Sequence, residues 1–343
     1  MSRRWSRPRS RSARAVLAAC VAVAAVGVAA PSAAAGPLAG ACTGRAGHPA
    51  TYRHVLVIVM ENHSAGQIVG SPKTPFITSV ARTCGWASRF HNITHPSLPN
   101  YLALTSGSTA GITTDCNGCR SSGPSIFEQV ETDGRSWRAF EESMPSPCLR
   151  ADHGRYLMRH NPPAYFTHLR PTCPASDLPM GTPARGALRH ALRQNTLPAY
   201  SFVTPDACHD MHDCAKSVGD AWFKSWLPLI LANTSYQNGE LVVFLTFDEG
   251  HGGFGGESCH LHPSDPSCHI ATIVISPFVT PGTVSQTTFT HYSLLRTTEN
   301  LLGLPLLGRA QNAVGTRRAF GLRPTRGAWP RWFGRFAPLV NLH

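Results

Sequence analysis

Residues 52–60, YRHVLVIVM, form an almost unbroken run of β-branched and apolar side chains. A strand without polar alternation is buried on both faces, which points to the interior of a parallel sheet. LVVFLTF (241–247) and IATIVIS (270–276) repeat the pattern, and Tyr200–Thr204 is a shorter candidate. Helical spacing fills the intervals. Phe76, Ile77 and Val80 mark a helix over 75–84, Trp222, Trp226, Leu229 and Ile230 one over 219–233, and 291–302 reads as another. Strands separated by helices predict a three-layer α/β/α fold around a mainly parallel central sheet. Residues 107–200, rich in Pro and Cys, are expected to form a loop-rich, disulfide-stapled insert or cap.

The net charge of +12 does not belong to the body of the chain. Residues 1–35 carry six Arg and no acid, and residues 309–343 carry seven Arg and no acid, which leaves a net of −1 for 36–308. With a near-neutral body the basic pI does not indicate a nucleic-acid binder, and no nucleic-acid partner is expected. Arg3, Arg4, Arg7, Arg9, Arg11 and Arg14 precede an Ala-rich apolar run, Ala15–Ala30, and Ala33-Ala34-Ala35 precedes Gly36. This is the pattern of an export signal cleaved near Ala35-Gly36. The run is too short and too weakly apolar for a spanning helix, so no stable membrane insertion is expected. Near-lipoboxes at Leu17–Cys20 and Leu38–Cys42 are misplaced or one residue too long for a lipid anchor. The expected organisation is a signal peptide over 1–35, one catalytic domain over 36–308 and an Arg-rich tail over 309–343.

Removal of the signal takes Cys20 and leaves ten Cys. An even number in an oxidising compartment predicts disulfides rather than a zinc cluster. Pairing near neighbours joins Cys116 to Cys119, Cys208 to Cys214 and Cys259 to Cys268, with Cys148–Cys173 and Cys42–Cys84 completing the set. Sequence alone leaves other pairings open.

Polar residues stand where the strands end. Glu61-Asn62-His63-Ser64 follows the first strand, Asp248-Glu249 the 241–247 strand, and Asp206 to Asp213 the 200–204 strand, while a loop after 270–276 leads to His291. Ligands of such sheets gather at the carboxyl ends of the strands. Carboxylates packed there repel one another unless a cation neutralises them, and Asp, Glu and His suit divalent ions. In HPSLPNYLALTSG (95–107), Pro99 suits the first turn of a helix, which sets Ser97 at or beside its N-cap. Helix amides there favour an anion such as phosphate. A G-x-S-x-G elbow is absent around Ser97, which disfavours a Ser–His–Asp hydrolase.

MENHS (60–64), HPSLPNYLALTSG (95–107), RHNPPAYF (159–166), DMHDC (210–214) with GDAW (219–222), FDEG (247–250) and HYSLLRTTENLLGLP (291–305) together resemble the bacterial phosphoesterase family. Secreted acid phosphatases and phospholipase-C-type enzymes belong to it, within the alkaline-phosphatase-like superfamily. The resemblance implies Ser97 as nucleophile, Asn100 as a residue steadying phosphoryl oxygens, and His160 as an acid or substrate contact. It implies Asn62, Asn100 and His95 at the substrate, and Glu61, Asp210, His212, Asp248, Glu249 and His291 as metal ligands. Asp206 and His209 are a second-rank pair of ligands, and Asp220 is read as a support of the site or a helix cap. The cofactor implied is one or two divalent ions: Zn, Ca, Mg or Mn. The activity implied is hydrolysis of small phosphomonoesters through a phosphoserine. The runner-up is a phospholipase C-type phosphodiesterase acting on phospholipid or phosphoinositide, and from another class, a non-catalytic secreted binding protein. Sulfatase is disfavoured because Tyr101 stands where the modification signature requires Arg.

Overall fold

The computed structural model describes residues 52–252, 259 and 261–323, together with 38, 40–49, Met1, Ser2 and Trp5. The chain divides into two units, 1–35 and 36–343, and the following concerns the second. Of the expected signal over 1–35 only Met1, Ser2 and Trp5 are described, and the tail beyond Arg323 lies outside the described residues.

Nine strands form one sheet among the described residues. They are β1 (His54–Met60), β2 (Gly85–His91), β3 (Trp137–Glu141), β4 (Asp177–Pro179), β5 (Tyr200–Thr204), β6 (Leu241–Phe247), β7 (His269–Ile275), β8 (Thr283–Ser285) and β9 (Phe289–Thr290). Their order is β4-β3-β5-β1-β6-β7-β2-β8, with β9 also beside β2. From β4 to β6 every pairing is parallel, and Val57 at the centre of β1 faces Phe202 on one side and Phe244 on the other. β7 is antiparallel to both of its neighbours, so β2 again runs with β6. β5 and β6 are buried at every residue, and β1 at all but its first, as unalternating apolar runs require. The helix Ser97–Ser106 packs against His291–Leu302, and Pro75–Thr83 against Lys216–Leu231, completing the α/β/α layering.

The insert expected over 107–200 is not a detached cap. It contains β3 and β4, which extend the main sheet beyond β5. Trp137, Ala139 and Phe140 are buried while Arg138 is only half-buried, so β3 reads as a short, partly alternating stretch and lacks the long apolar signature. Phe127 closes the core beneath it, 4.8 Å from Trp137 and 5.5 Å from Tyr200. All five disulfides form between the expected neighbours: Cys42–Cys84, Cys116–Cys119, Cys148–Cys173, Cys208–Cys214 and Cys259–Cys268. The described part of the tail packs on the body, with Phe320 and Leu322 buried.

Two local devices fix the helices that matter here. Gly107 ends the helix Ser97–Ser106 at φ 72°, and a Cβ there would collide with the Leu307 carbonyl. Asp220 supplies the cap that Pro75–Thr83 lacks locally: its carboxylate accepts from the amides of Phe76 at 3.1 Å and Ile77 at 2.8 Å. It therefore caps a helix, though not the one that follows it in sequence. Asp220→Ala should cost about 1 kcal/mol, the usual value of an N-cap. Urea unfolding checks this, and an unchanged midpoint would show that these two bonds contribute nothing net.

Candidate active site

The site is assembled at the carboxyl ends of β1 and β6. The amide of Asp248 donates to the carbonyl of Met60 at 2.9 Å, and the amide of Glu61 to that of Asp210 at 2.9 Å. These bonds set three acidic residues side by side as the ladders end. Asn62 adopts φ 53° and its amide donates to Asp248 Oδ1 at 3.0 Å, turning the chain back over the crevice.

Ser97 is the first residue of its helix, not the cap, and is buried. Its hydroxyl donates to Glu61 Oε2 at 3.1 Å. Tyr101, one turn on, donates its hydroxyl to Glu61 Oε1 at 2.5 Å. The Tyr101 ring stacks on His160, with centroids 5.4 Å apart and planes 10° from parallel. His160 stands between two acids, with Nε2 3.4 Å from Glu61 and Nδ1 3.2 Å from Asp210. His212 offers an imidazole nitrogen within 4.8 Å of both Glu61 and His160. His291 Nε2 donates to the Asp248 carbonyl at 2.6 Å, which leaves a lone pair on Nδ1.

Glu61, Asp210, Asp248 and Glu249 are all buried. Burial pushes Glu61 well above the usual carboxylate range, and Asp248 and Asp210 push it further. Asp210 is driven up mainly by burial. Asp248 rises to about 8 through burial and its neighbour Glu249. Glu249 rises to about 9 through burial and then Asp115. His160 is held well below its ordinary value by burial, then by Arg159 and His212, and burial brings His291 down to about 4. Asp248 Oδ2, Asn62 Oδ1 and His291 Nδ1 are buried without a hydrogen-bond partner. Oxygen and imidazole donors left unpaired among mutually repelling carboxylates fit a divalent cation.

The structure thus brings Glu61, Asn62, Ser97, His160, Asp210, His212, Asp248 and His291 together. Glu249 and His95 form a neighbouring pair at 3.2 Å. Asn100 is enclosed: its Oδ1 accepts from the amides of Ile93 and Thr94, and its Nδ2 donates to Thr94, Pro96 and Glu249. Its polar atoms hold the 93–96 turn and Glu249 rather than an open phosphoryl position. Asp206 and His209 engage Glu142 and each other, His209 Nδ1 lying 2.9 Å from Glu142 and 3.4 Å from Asp206.

Three residues of the site are not among those the sequence assigns to it. Tyr101 had a signal, since a residue four positions after Ser97 shares its helix face. Arg159, beside His160, lies 3.3 Å from His212 Nε2. Asp115 had none: from its loop it accepts from the Leu98 amide at 2.9 Å and pairs with Arg159 at 3.5 Å. A carboxylate thus sits where the helix start offers its amide to an anion.

The Phosphoesterase family model matches residues 71–305. A phosphatidylinositol-3-phosphatase from Mycobacterium tuberculosis (strain ATCC 25618 / H37Rv) is 34% identical over 269 residues, covering 77% of this chain and 81% of that protein. An acid phosphatase from Aspergillus fumigatus is 27% identical over 235 residues, covering 65% of this chain and 49% of that protein, so this chain spans about half the length of that relative. In shape, a protein of the alkaline phosphatase superfamily from Vibrio parahaemolyticus superposes with a TM-score of 0.52 at 11% identity, covering 79% of this chain and 72% of that one. The lipoteichoic acid synthase LtaP from Listeria monocytogenes superposes at 0.50 and 11% identity, covering 77% of each chain. At such identities these two establish the fold alone.

Proposed function

The chain belongs to the phosphoesterase family, and from that premise we propose that it is a metal-dependent phosphomonoesterase acting through a phosphoserine on Ser97. One observation carries the reading: the Ser97 hydroxyl donates at 3.1 Å to a buried carboxylate, Glu61, at the start of a helix ringed by acids and imidazoles. Glu61, Asp210, His212, Asp248 and His291 would hold the divalent ion, with Asn62 Oδ1 beside them. When bound, that ion neutralises the carboxylates and draws charge from the phosphoryl oxygens.

The remaining work falls to the chain's own groups. Glu61 orients the Ser97 hydroxyl and accepts its proton as Oγ attacks phosphorus. The Oγ–P bond forms as the bond to the alcohol oxygen breaks, and the alcohol leaves with a proton from the site. His160, between Glu61 and Asp210, is placed to move that proton. The Leu98 amide and the Arg159 guanidinium, released from Asp115, stabilise the equatorial oxygens. Water then attacks the phosphoserine, which frees phosphate and restores Ser97. Substrates are small phosphate esters, including phosphoinositide head groups of the kind named for the mycobacterial relative.

Export belongs to the same proposal. Five disulfides suit an oxidising compartment, and no helix among the described residues is long and apolar enough to cross a membrane. The test is a comparison of p-nitrophenyl phosphate, its bis-ester and phosphatidylcholine. The monoester is expected to exceed the diester in kcat/KM by about 100-fold, close to 3 kcal/mol of discrimination. Faster turnover of the diester or the lipid would replace this reading with the phospholipase C-type one.

A further inference from the structure

A cavity of about 520 Å³ opens beside the catalytic crevice, lined by Arg89, His91, His251, His269, Ser64 and Gln67 among others. No carboxylate of the described residues lines it. Its walls continue the three segments that carry the site. Ser64 lies three residues beyond Glu61, His91 six residues before Ser97, and His251 two residues beyond Glu249. Three residues span at most about 11 Å, so Ser64 on the cavity wall lies within that reach of Glu61. The topology agrees: β2 runs with β1 and β6, so its last residues emerge at the end of the sheet where β1 releases Glu61. Ser64 bridges Ile270 at the start of β7, and the His251 amide donates to Ser64 Oγ at 3.2 Å, which joins the cavity wall to the catalytic turns.

Two prolines and a glycine share the lining with polar side chains whose charges are of one sign. Arg89 is exposed and permanently charged. His91 and His269 stack with centroids 5.5 Å apart, and His269 Nε2 lies 2.7 Å from the Ser88 carbonyl, which fixes its ring. Burial, and then His269, holds His91 below its ordinary pKa. One arginine beside imidazole and hydroxyl groups, with no acid among the described lining residues, offers an anion a charge and hydrogen-bond donors.

We propose that this cavity is a second anion subsite, receiving a phosphate of the substrate other than the one hydrolysed. The inference rests on the phosphomonoesterase reading and narrows it: preferred substrates carry two phosphates across a single sugar or polyol ring. A soluble bisphosphate and a phosphoinositide head group both offer that chemistry.

The experiment uses the full chain with its metal and three probes: inositol 1,3-bisphosphate, inositol 3-phosphate and p-nitrophenyl phosphate. Wild type should show a KM about tenfold lower for the bisphosphate than for the monophosphate, the effect of one charge-assisted contact. Arg89→Ala should erase that difference, Arg89→Lys should keep part of it, and kcat/KM on p-nitrophenyl phosphate should stay unchanged in both. No Arg89-dependent preference on either the soluble probes or the vesicles, or an equal loss on p-nitrophenyl phosphate, would overturn the subsite. Phosphatidylcholine vesicles containing phosphatidylinositol 3-phosphate separate the sources. Arg89 dependence on vesicles alone assigns the subsite to the lipid head group, and dependence on both assigns it to the phosphate itself. If wild type hydrolyses no ester, the activity reading fails on its own. Calorimetric titration with inositol 1,3-bisphosphate then decides the anion site, and equal heats for wild type and Arg89→Ala would refute it.

Discussion

Ser97→Ala is expected to lower hydrolysis of p-nitrophenyl phosphate by at least about 1000-fold, as loss of a nucleophile does elsewhere. The unfolding midpoint should barely move. Ser97 occupies the first helical position and its side chain does not cap the helix, so alanine, the best helix former, loses nothing there. The hydroxyl donates to Glu61, a carboxylate still held by Tyr101 when that bond is lost. A serine that served only as a helix cap would change stability by about 1 kcal/mol and leave the rate intact. The two roles therefore separate cleanly. An acid-quenched reaction of wild type should yield a phosphorylated peptide containing Ser97, and the variant should yield none. Retention of a substantial part of the rate in Ser97→Ala would remove the nucleophile from the proposal.

The parts legible in the sequence share a physical reason. β1, β5 and β6 are buried on both faces, so their apolar runs carry no competing polar period, and the assigned ends fall within a few residues of the expected ones. Glu61, Asp248 and Glu249 were legible because they follow β1 and β6 directly, and a parallel sheet gathers its strand ends in one crevice; Asp210, His212, His160 and His291 were reached through the family motifs. What failed to show was of two kinds. Short strands near the sheet's edges, β3, β4 and the irregular β2, mix polar and apolar residues and so resemble loops. An apolar run also says nothing about direction, so the antiparallel course of β7 is invisible in IATIVIS. The second kind depends on long-range folding. Asp115 reaches the Leu98 amide across a loop, and Arg159 reaches it through Asp115; no local period encodes either. Asp206 and His209 matched a ligand-like spacing, and the partner that completes their cluster, Glu142, was invisible because it comes from a distant segment: the three offer ligand atoms within 4.8 Å of one another, while Asp206 Oδ1 also accepts from the amides of Cys208 and His209 as in an Asx turn.

Chelation should abolish turnover, and its effect on stability should grow with pH. A carboxylate whose folded pKa is raised costs nothing below its unfolded value of about 4 and progressively more as pH climbs towards the folded value. Asp248 rises to about 8 and Glu249 to about 9, with Glu61 and Asp210 also displaced upwards. The chelated protein should therefore lose stability steadily between about pH 4 and pH 9. A cation bound to the ionised cluster opposes that loss, because binding to the folded state alone contributes RT ln(1 + [L]/Kd), about 2.7 kcal/mol at a hundredfold excess over Kd. Protonated carboxylates and imidazolium do not ligate, so the contribution fades towards acid pH. Thermal unfolding with and without EDTA should show curves nearly together at pH 5 and separated by about 5 °C at pH 8. Adding back Zn, Ca, Mg or Mn singly should restore both the midpoint and the rate with at least one of them. Curves that stay parallel across pH, or activity that survives exhaustive chelation, would mean that these acids are neutralised by protons and hydrogen bonds alone, and that Ser97 works without an ion.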